Sequence, residues 1–324
     1  MKIHYTLDDS AARLPLAIRS EDGVWDRTTD FRNAPGIQLV ELTTQHMLNT
    51  GATLADELVR YFDADNSHES DPYGLEQCYS ARAQLEDLLR DLVDAPLTAF
   101  EEVEALFPVT FVQDMNFLLA LTVVGYPAFG YVRTYKDSEG EEYHGMVINL
   151  AQARPHLEGL FGEFSLSLLI SVIRYGFFNH EGFLAAYDEY CEMVERLPIK
   201  VASRLKNALL SRGIAWYLSY RHNLDFYDDM LGLDSDHLAV QVEQWNTMIT
   251  TAYRKKTGDD LLDDWSGQRE TRQPGDTCID IVGYFAARTI AESDGNKGLR
   301  DCIVQGPDYF IQRYNTLGKH WLKA

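Results

Sequence analysis

Residues 108–150 read PVTFVQDMNFLLALTVVGYPAFGYVRTYKDSEGEEYHGMVINL, and this stretch decides the fold class. Segments 108–112 and 119–124 are β-branched and apolar, as strands are. Segments 129–135 and 144–150 flank Asp137-Ser138-Glu139-Gly140, the pattern of a hairpin closed by a polar turn.

On either side of this block the apolar period becomes that of helices. Before it, a short strand over 2–7 precedes acidic amphipathic helices at about 36–49, 54–62, 75–93 and 99–106. In the first of these helices Ile37, Val40, Thr44, Met47 and Leu48 share one face. The polar stretch 63–72 ends in Pro72 and reads as a loop. After Leu150 nearly everything is helical, at about 154–162, 164–178, 181–196, 199–220, 235–254, 277–291 and 306–315. The expectation is an α+β fold, predominantly helical, with a small mixed sheet between two helical blocks. It divides into an N-terminal helical region, 1–106, and a second region, 107–324, or runs as one continuous domain.

Composition narrows the class. Among 324 residues, 45% are hydrophobic and 12% aromatic, far too apolar for a disordered chain. The net charge of −21 opposes general nucleic-acid binding and anionic membranes, since phosphate contacts need clustered Lys and Arg. The N-terminal residues contain no apolar secretory core, and no run approaches the ~18 apolar residues of a membrane span. Cys78, Cys191, Cys278 and Cys302 are scattered without a CxxC pair, which fits reduced, buried thiols in a cytoplasmic protein.

Motifs for chemistry are sparse. A zinc helix of the HExxH kind needs two imidazoles at i and i+4, and no two histidines are so spaced. His180-Glu181 supplies half of such a motif, but Leu184 stands where the second His belongs. His237 beside Asp234 and Asp236 reads as a solvated helix start, and His222 with Asp225 is similarly ordinary. No GxSxG, P-loop or GxGxxG is present. The run Asp259-Asp260 with Asp263-Asp264 reads as a solvated face.

From about residue 107 to 314 the order of elements resembles the zincin-like zinc-dependent peptidases of the gluzincin type. Three stretches carry the resemblance. One is the strand and hairpin block followed directly by a helix, as an edge strand precedes the metal helix in zincins. The second pairs Ser167-Leu168-Leu169-Ile170-Ser171 with Arg212-Gly213-Ile214-Ala215-Trp216-Tyr217-Leu218, where such families read HExxH and then EGxAxYL. The third comprises Ile281-Val282-Gly283-Tyr284-Phe285-Ala286-Ala287, Gly298-Leu299 and Pro307-Asp308-Tyr309-Phe310, which look like the closing helix pair. The resemblance places Ser167 and Ser171 at the two His positions, Leu168 at the general base, Arg212 at the third ligand and Tyr284 over the cleft. A register shifted to Ile170, Ser171 and Arg174 supplies no His or Glu either.

These residues are hostile to zinc, which prefers imidazole, thiolate or carboxylate. Leucine takes no proton from bound water. A guanidinium facing a dication at ~4 Å costs roughly 4 kcal/mol per unit charge at an effective dielectric of about 20. The expectation is therefore a pseudopeptidase with no metal and no cofactor, which binds a peptide or protein partner and neither nucleic acid nor membrane. The degenerate site, Ser167, Leu168, Ser171, Arg212 and Tyr284, would suit a carboxylate or phosphate, unless the serines are packing residues and Arg212 pairs with a carboxylate such as Glu163. Two alternatives stand beside it. One is an active metallopeptidase whose ligands come from His144, His156, His180 or Glu181. The other is an acidic interaction protein, for example a nucleic-acid mimic.

Overall fold

The computed structural model describes residues 1–18, 34–62, 70–136, 142–198, 200–222, 235–254, 277–318 and 320–324. The hairpin turn at 137–140, the loop at 63–69, the acidic run at 259–264, Asp225 and Asp234 lie outside the described residues. The fold is α+β and predominantly helical, with a small mixed sheet. It forms two compact units: a sheet unit of 3–97 and 116–173, and a helix unit of 1–2, 98–115 and 174–324. The 106/107 boundary expected from sequence falls inside the helix unit.

The sheet orders its strands β1 (Lys2–Asp8), β2 (Asp114–Thr122), β4 (Glu142–Asn149) and β3 (Gly130–Lys136). Strand β4 runs parallel to β2, with Phe117 opposite His144 and Thr122 opposite Asn149. It runs antiparallel to β3, with Gly130 opposite Ile148, which is the expected hairpin. The two inner strands are buried along Phe117–Thr122 and 145–149, so they read as unbroken apolar runs rather than alternating ones. At the end of β1, Asp8 accepts the Ser10 amide at 2.8 Å and the Gly36 amide at 2.9 Å. One carboxylate thereby anchors the starts of α1 (Ser10–Ala17) and α2 (Pro35–Leu48). Helix α1 was not read from the sequence. Asp71 caps α4 (Leu75–Ser80) through the Leu75 and Glu76 amides, and Glu41 accepts the Leu54 amide that opens α3 (Leu54–Phe62). The single helix expected over 75–93 is broken at Ala81, where α4 gives way to α5 (Arg82–Val93).

The strand expected at 108–112 is absent. Phe111 donates its amide to the Pro108 carbonyl, closing a turn after α6 (Phe100–Glu104). Phe107 and Phe111, four apart, point inward against Tyr190, while Val109 and Val112 face out. The four-residue spacing of Phe107 and Phe111 outweighed β-branched propensity here. After β4 follow α7 (Ala153–Phe161), α8 (Leu166–Ser171), a π-helical segment (Val172–Asn179) and α9 (His180–Met193).

The helix unit is built on α10 (Val201–Tyr220) and α12 (Cys278–Gln305), with α11 (Ser235–Arg254) and α13 (Pro307–Leu317) packed on them. Helices α10 and α12 meet backbone to backbone. A Cβ on Gly213 would lie 2.4 Å from the Gly283 carbonyl carbon, and one on Gly283 would lie 2.5 Å from the Leu209 carbonyl oxygen. Helix α12 does not stop at 291 as expected but continues past a kink at Gly295, whose φ of 63° and ψ of −160° only glycine visits cheaply. Arg313 of α13 clasps Asp294 just before that kink with two parallel bonds of 2.7 Å.

Gly283→Ala is expected to destabilise the protein by roughly 3 kcal/mol or more, since the atoms it meets are backbone and cannot step aside. By contrast, Gly159→Ala, in the exposed interior of α7 with nothing within 4 Å, should stabilise by about 0.5–1 kcal/mol. Urea unfolding midpoints of the two variants measure the difference.

Candidate functional site

The structure divides the five sequence-predicted positions between its units. Ser167, Leu168 and Ser171 belong to the sheet unit, on α8. The two serines lie one turn apart, as spacing requires, and both are exposed; Leu168 is half-buried. Ser165 caps this helix by accepting the Leu168 amide at 3.2 Å, and its hydroxyl meets that of Ser167 at 3.3 Å. The polar pattern here is thus partly a helix cap.

Arg212 and Tyr284 belong to the helix unit, one on each of the crossing helices. Because Gly213 and Gly283 remove the side chains at the crossing, their neighbours are drawn together. The Arg212 guanidinium pairs with Asp280, whose side chain is completely buried. Asp280 also accepts the Trp216 indole N–H at 3.1 Å and the Thr277 hydroxyl at 2.9 Å. Arg212 further approaches Thr277 Oγ1 at 3.4 Å. The carboxylate that meets Arg212 is therefore Asp280, rather than Glu163 as the sequence suggested. A buried charge of this kind is tolerable only when paired and hydrogen-bonded, and here both conditions hold. Tyr284 is fully buried and clusters with Trp216, with Tyr217, Tyr220 and Phe285 packed against them.

Trp216 links this pair to a second polar group. The His180 ring lies 4.2 Å from the Trp216 ring, and its Nδ1 is 3.1 Å from Glu181 Oε1. Nearby in sequence, Asn179 donates to Glu102 at 3.3 Å, and Glu102 also pairs with Arg221 at 2.6 Å and His222 at 3.2 Å. Sequence reading missed Asp280, although Thr277-Cys278-Ile279-Asp280 carries the capping-box signature of a helix start. Thr277 does cap α12, accepting the Asp280 amide.

Other candidate ligands are otherwise engaged. His144 lies beside Phe117, and His156 stacks on Phe129 at 4.4 Å, where burial holds its imidazole below the usual range. Among the described residues, no three His, Cys, Asp or Glu side chains form a group that could hold a metal ion. Nor is any single described helix long and apolar enough to cross a membrane. Cys278 opens α12 beside Arg212, a setting that ordinarily activates a thiol. Burial, reinforced by the Asp280 charge, instead pushes it up to about 11. Comparison with protein-family models, curated proteins and solved structures finds no match to this chain.

Arg212→Met should cost about 3–5 kcal/mol, because it strands a buried carboxylate. Arg212→Met combined with Asp280→Met should cost less than Arg212→Met alone, and a double-mutant cycle in urea measures that coupling. The thiols supply a pH test. Burial raises Cys278 from 9.0 to about 11, and Cys78 and Cys302 to about 12. The folded state then keeps protons that the unfolded chain releases above pH 9.0. The stabilisation they confer is whole below that pH and is lost as pH rises through 11 and 12. Urea midpoints should fall across this window, and native thiols should react slowly with a disulfide reagent at pH ~8 until urea unfolds the chain.

Proposed function

We propose that this chain is a zincin-like protein without peptidase chemistry, which works by binding a peptide or protein partner. The observation that carries the reading is the commitment of Arg212. Under the resemblance this position belongs to an acidic metal ligand. Here it bears a guanidinium, matched by a fully buried carboxylate on the facing helix. A dication at that place would have to separate a charge pair that also holds an indole and a hydroxyl. Ser167 and Ser171 offer hydroxyls, which zinc disfavours near neutral pH, and Leu168 offers no base. The net charge of −21 keeps long polyanions away and leaves proteins and peptides as the natural partners.

The test is to express the protein in zinc-supplemented medium and measure metal content together with cleavage of a quenched fluorescent peptide library. Zinc well below one ion per chain, with cleavage no faster than in buffer, is the expected result. Stoichiometric zinc with chelator-sensitive turnover overturns the reading. Arg212→Glu, which restores the family's acidic residue, should lower the urea midpoint without gaining zinc, because it sets a second carboxylate against Asp280.

A further inference from the structure

Residues 321–323 lie against α11 and α13, whose side chains bond their backbone. Asn246 donates to the Trp321 carbonyl at 2.9 Å and accepts the Lys323 amide at 2.7 Å. Asn315 of α13 does the same to Leu322 from the other side, with both bonds at 2.8 Å. The Trp245 indole donates to the Lys323 carbonyl at 3.2 Å. Leu322 is wholly buried, and its neighbour Trp321 is 69% exposed. Beside Trp321 stand Tyr253, 57% exposed, and Arg254, with Ile249 and Thr250 forming the floor of a groove of about 370 Å³.

Exposing a large ring is ordinary for an isolated residue; here it sits on a three-residue segment whose backbone takes five side-chain hydrogen bonds, beside a second exposed ring. Trp, Tyr and Arg are the residue types that dominate binding energy at protein interfaces. The local charge also departs from that of the whole molecule. Lys323 reaches Thr250 at 3.1 Å, and among the described residues no carboxylate pairs with Arg254 or Lys323. Lys206 lies 5.6 Å over the Tyr253 ring but is neutralised by Asp308. Arg254 and Lys323, without a carboxylate partner among the described residues, thus line the groove with Trp321, Tyr253 and Ala324 on a protein whose net charge is −21.

We infer that this groove docks a short acidic segment of a partner protein, in which one or two carboxylates flank an aromatic or aliphatic side chain. The apolar side chain packs between Trp321 and Tyr253, and the carboxylates meet Arg254 and Lys323. Two cations suit one or two carboxylates and not a polyanion, which the remaining surface repels; that favours a peptide over a nucleic acid. The inference goes beyond the function proposed above, which names no surface, and it fails separately. Zinc-dependent turnover would overturn that function and leave this groove untouched.

The experiment is fluorescence anisotropy with a labelled Gly/Ser peptide carrying a Glu-Leu-Trp-Glu core, titrated with the full chain. Saturable binding that weakens with salt is expected. Trp321→Ala and Arg254→Glu should each weaken it about tenfold or more. Asn246→Ala should also weaken it, by freeing the segment while both rings remain. Val112→Ser and Arg90→Glu, exposed changes elsewhere, should stay within about twofold. The inference is overturned by absence of saturable binding, or by equal losses in the Val112 and Arg90 variants. It is likewise overturned if a Lys-Leu-Trp-Lys peptide or a single-stranded oligonucleotide binds as tightly.

Discussion

The helix unit depends on one contact, the passage of α10 across α12 at Gly213 and Gly283. Two glycines let the backbones approach until a single methyl group at either position would collide with a carbonyl. Once the helices are that close, the residue just before Gly213 and the one a turn before Gly283 have no choice of neighbour. Arg212 and Asp280 must face each other in a space without solvent, and a lone charge there would be prohibitive. The pair, the Trp216 indole and the Thr277 hydroxyl are therefore a consequence of the crossing as much as a support for it. Trp216 and Tyr284 complete the packing around it.

The sheet unit rests on a different principle. Its two inner strands are covered on both faces, so their apolar character is continuous and their register is read from pairing rather than alternation. Single carboxylates at Asp8, Glu41 and Asp71 then fix where the flanking helices begin, each taking up amides that the helix cannot satisfy itself.

A site whose guanidinium is consumed by a buried carboxylate is a structural element, and chemistry there would cost the fold its lock. In the proposed docking groove, by contrast, hydrogen bonds to backbone atoms hold the segment that carries Trp321 and Lys323. Its rigidity lowers the entropic cost of binding, which is how preorganised surfaces gain affinity.

Much of the architecture was legible in the sequence. The hairpin of β3 and β4, the strand before it and most helices after Leu150 follow from periodicities that each segment carries by itself. So do the charge and the lack of an i, i+4 pair of histidines. Where the reading failed, distant packing outweighed a local pattern. Residues 108–112 look like a strand until Phe107 and Phe111 are seen to share the ring of Tyr190. Arg212 could be named as a cation at the third ligand position of the resemblance, with Glu163 as a partner, but Asp280 could not, because it lies on another helix brought close only by two glycines. Nothing in the sequence singled out Trp321, because the grip of Asn246 and Asn315 on the backbone of 321–323 comes from other helices. Sequence alone determined the elements, since period and propensity are properties of neighbours along the chain. Tertiary structure decided which charges are buried and which rings face water, since desolvation depends on what every other element covers.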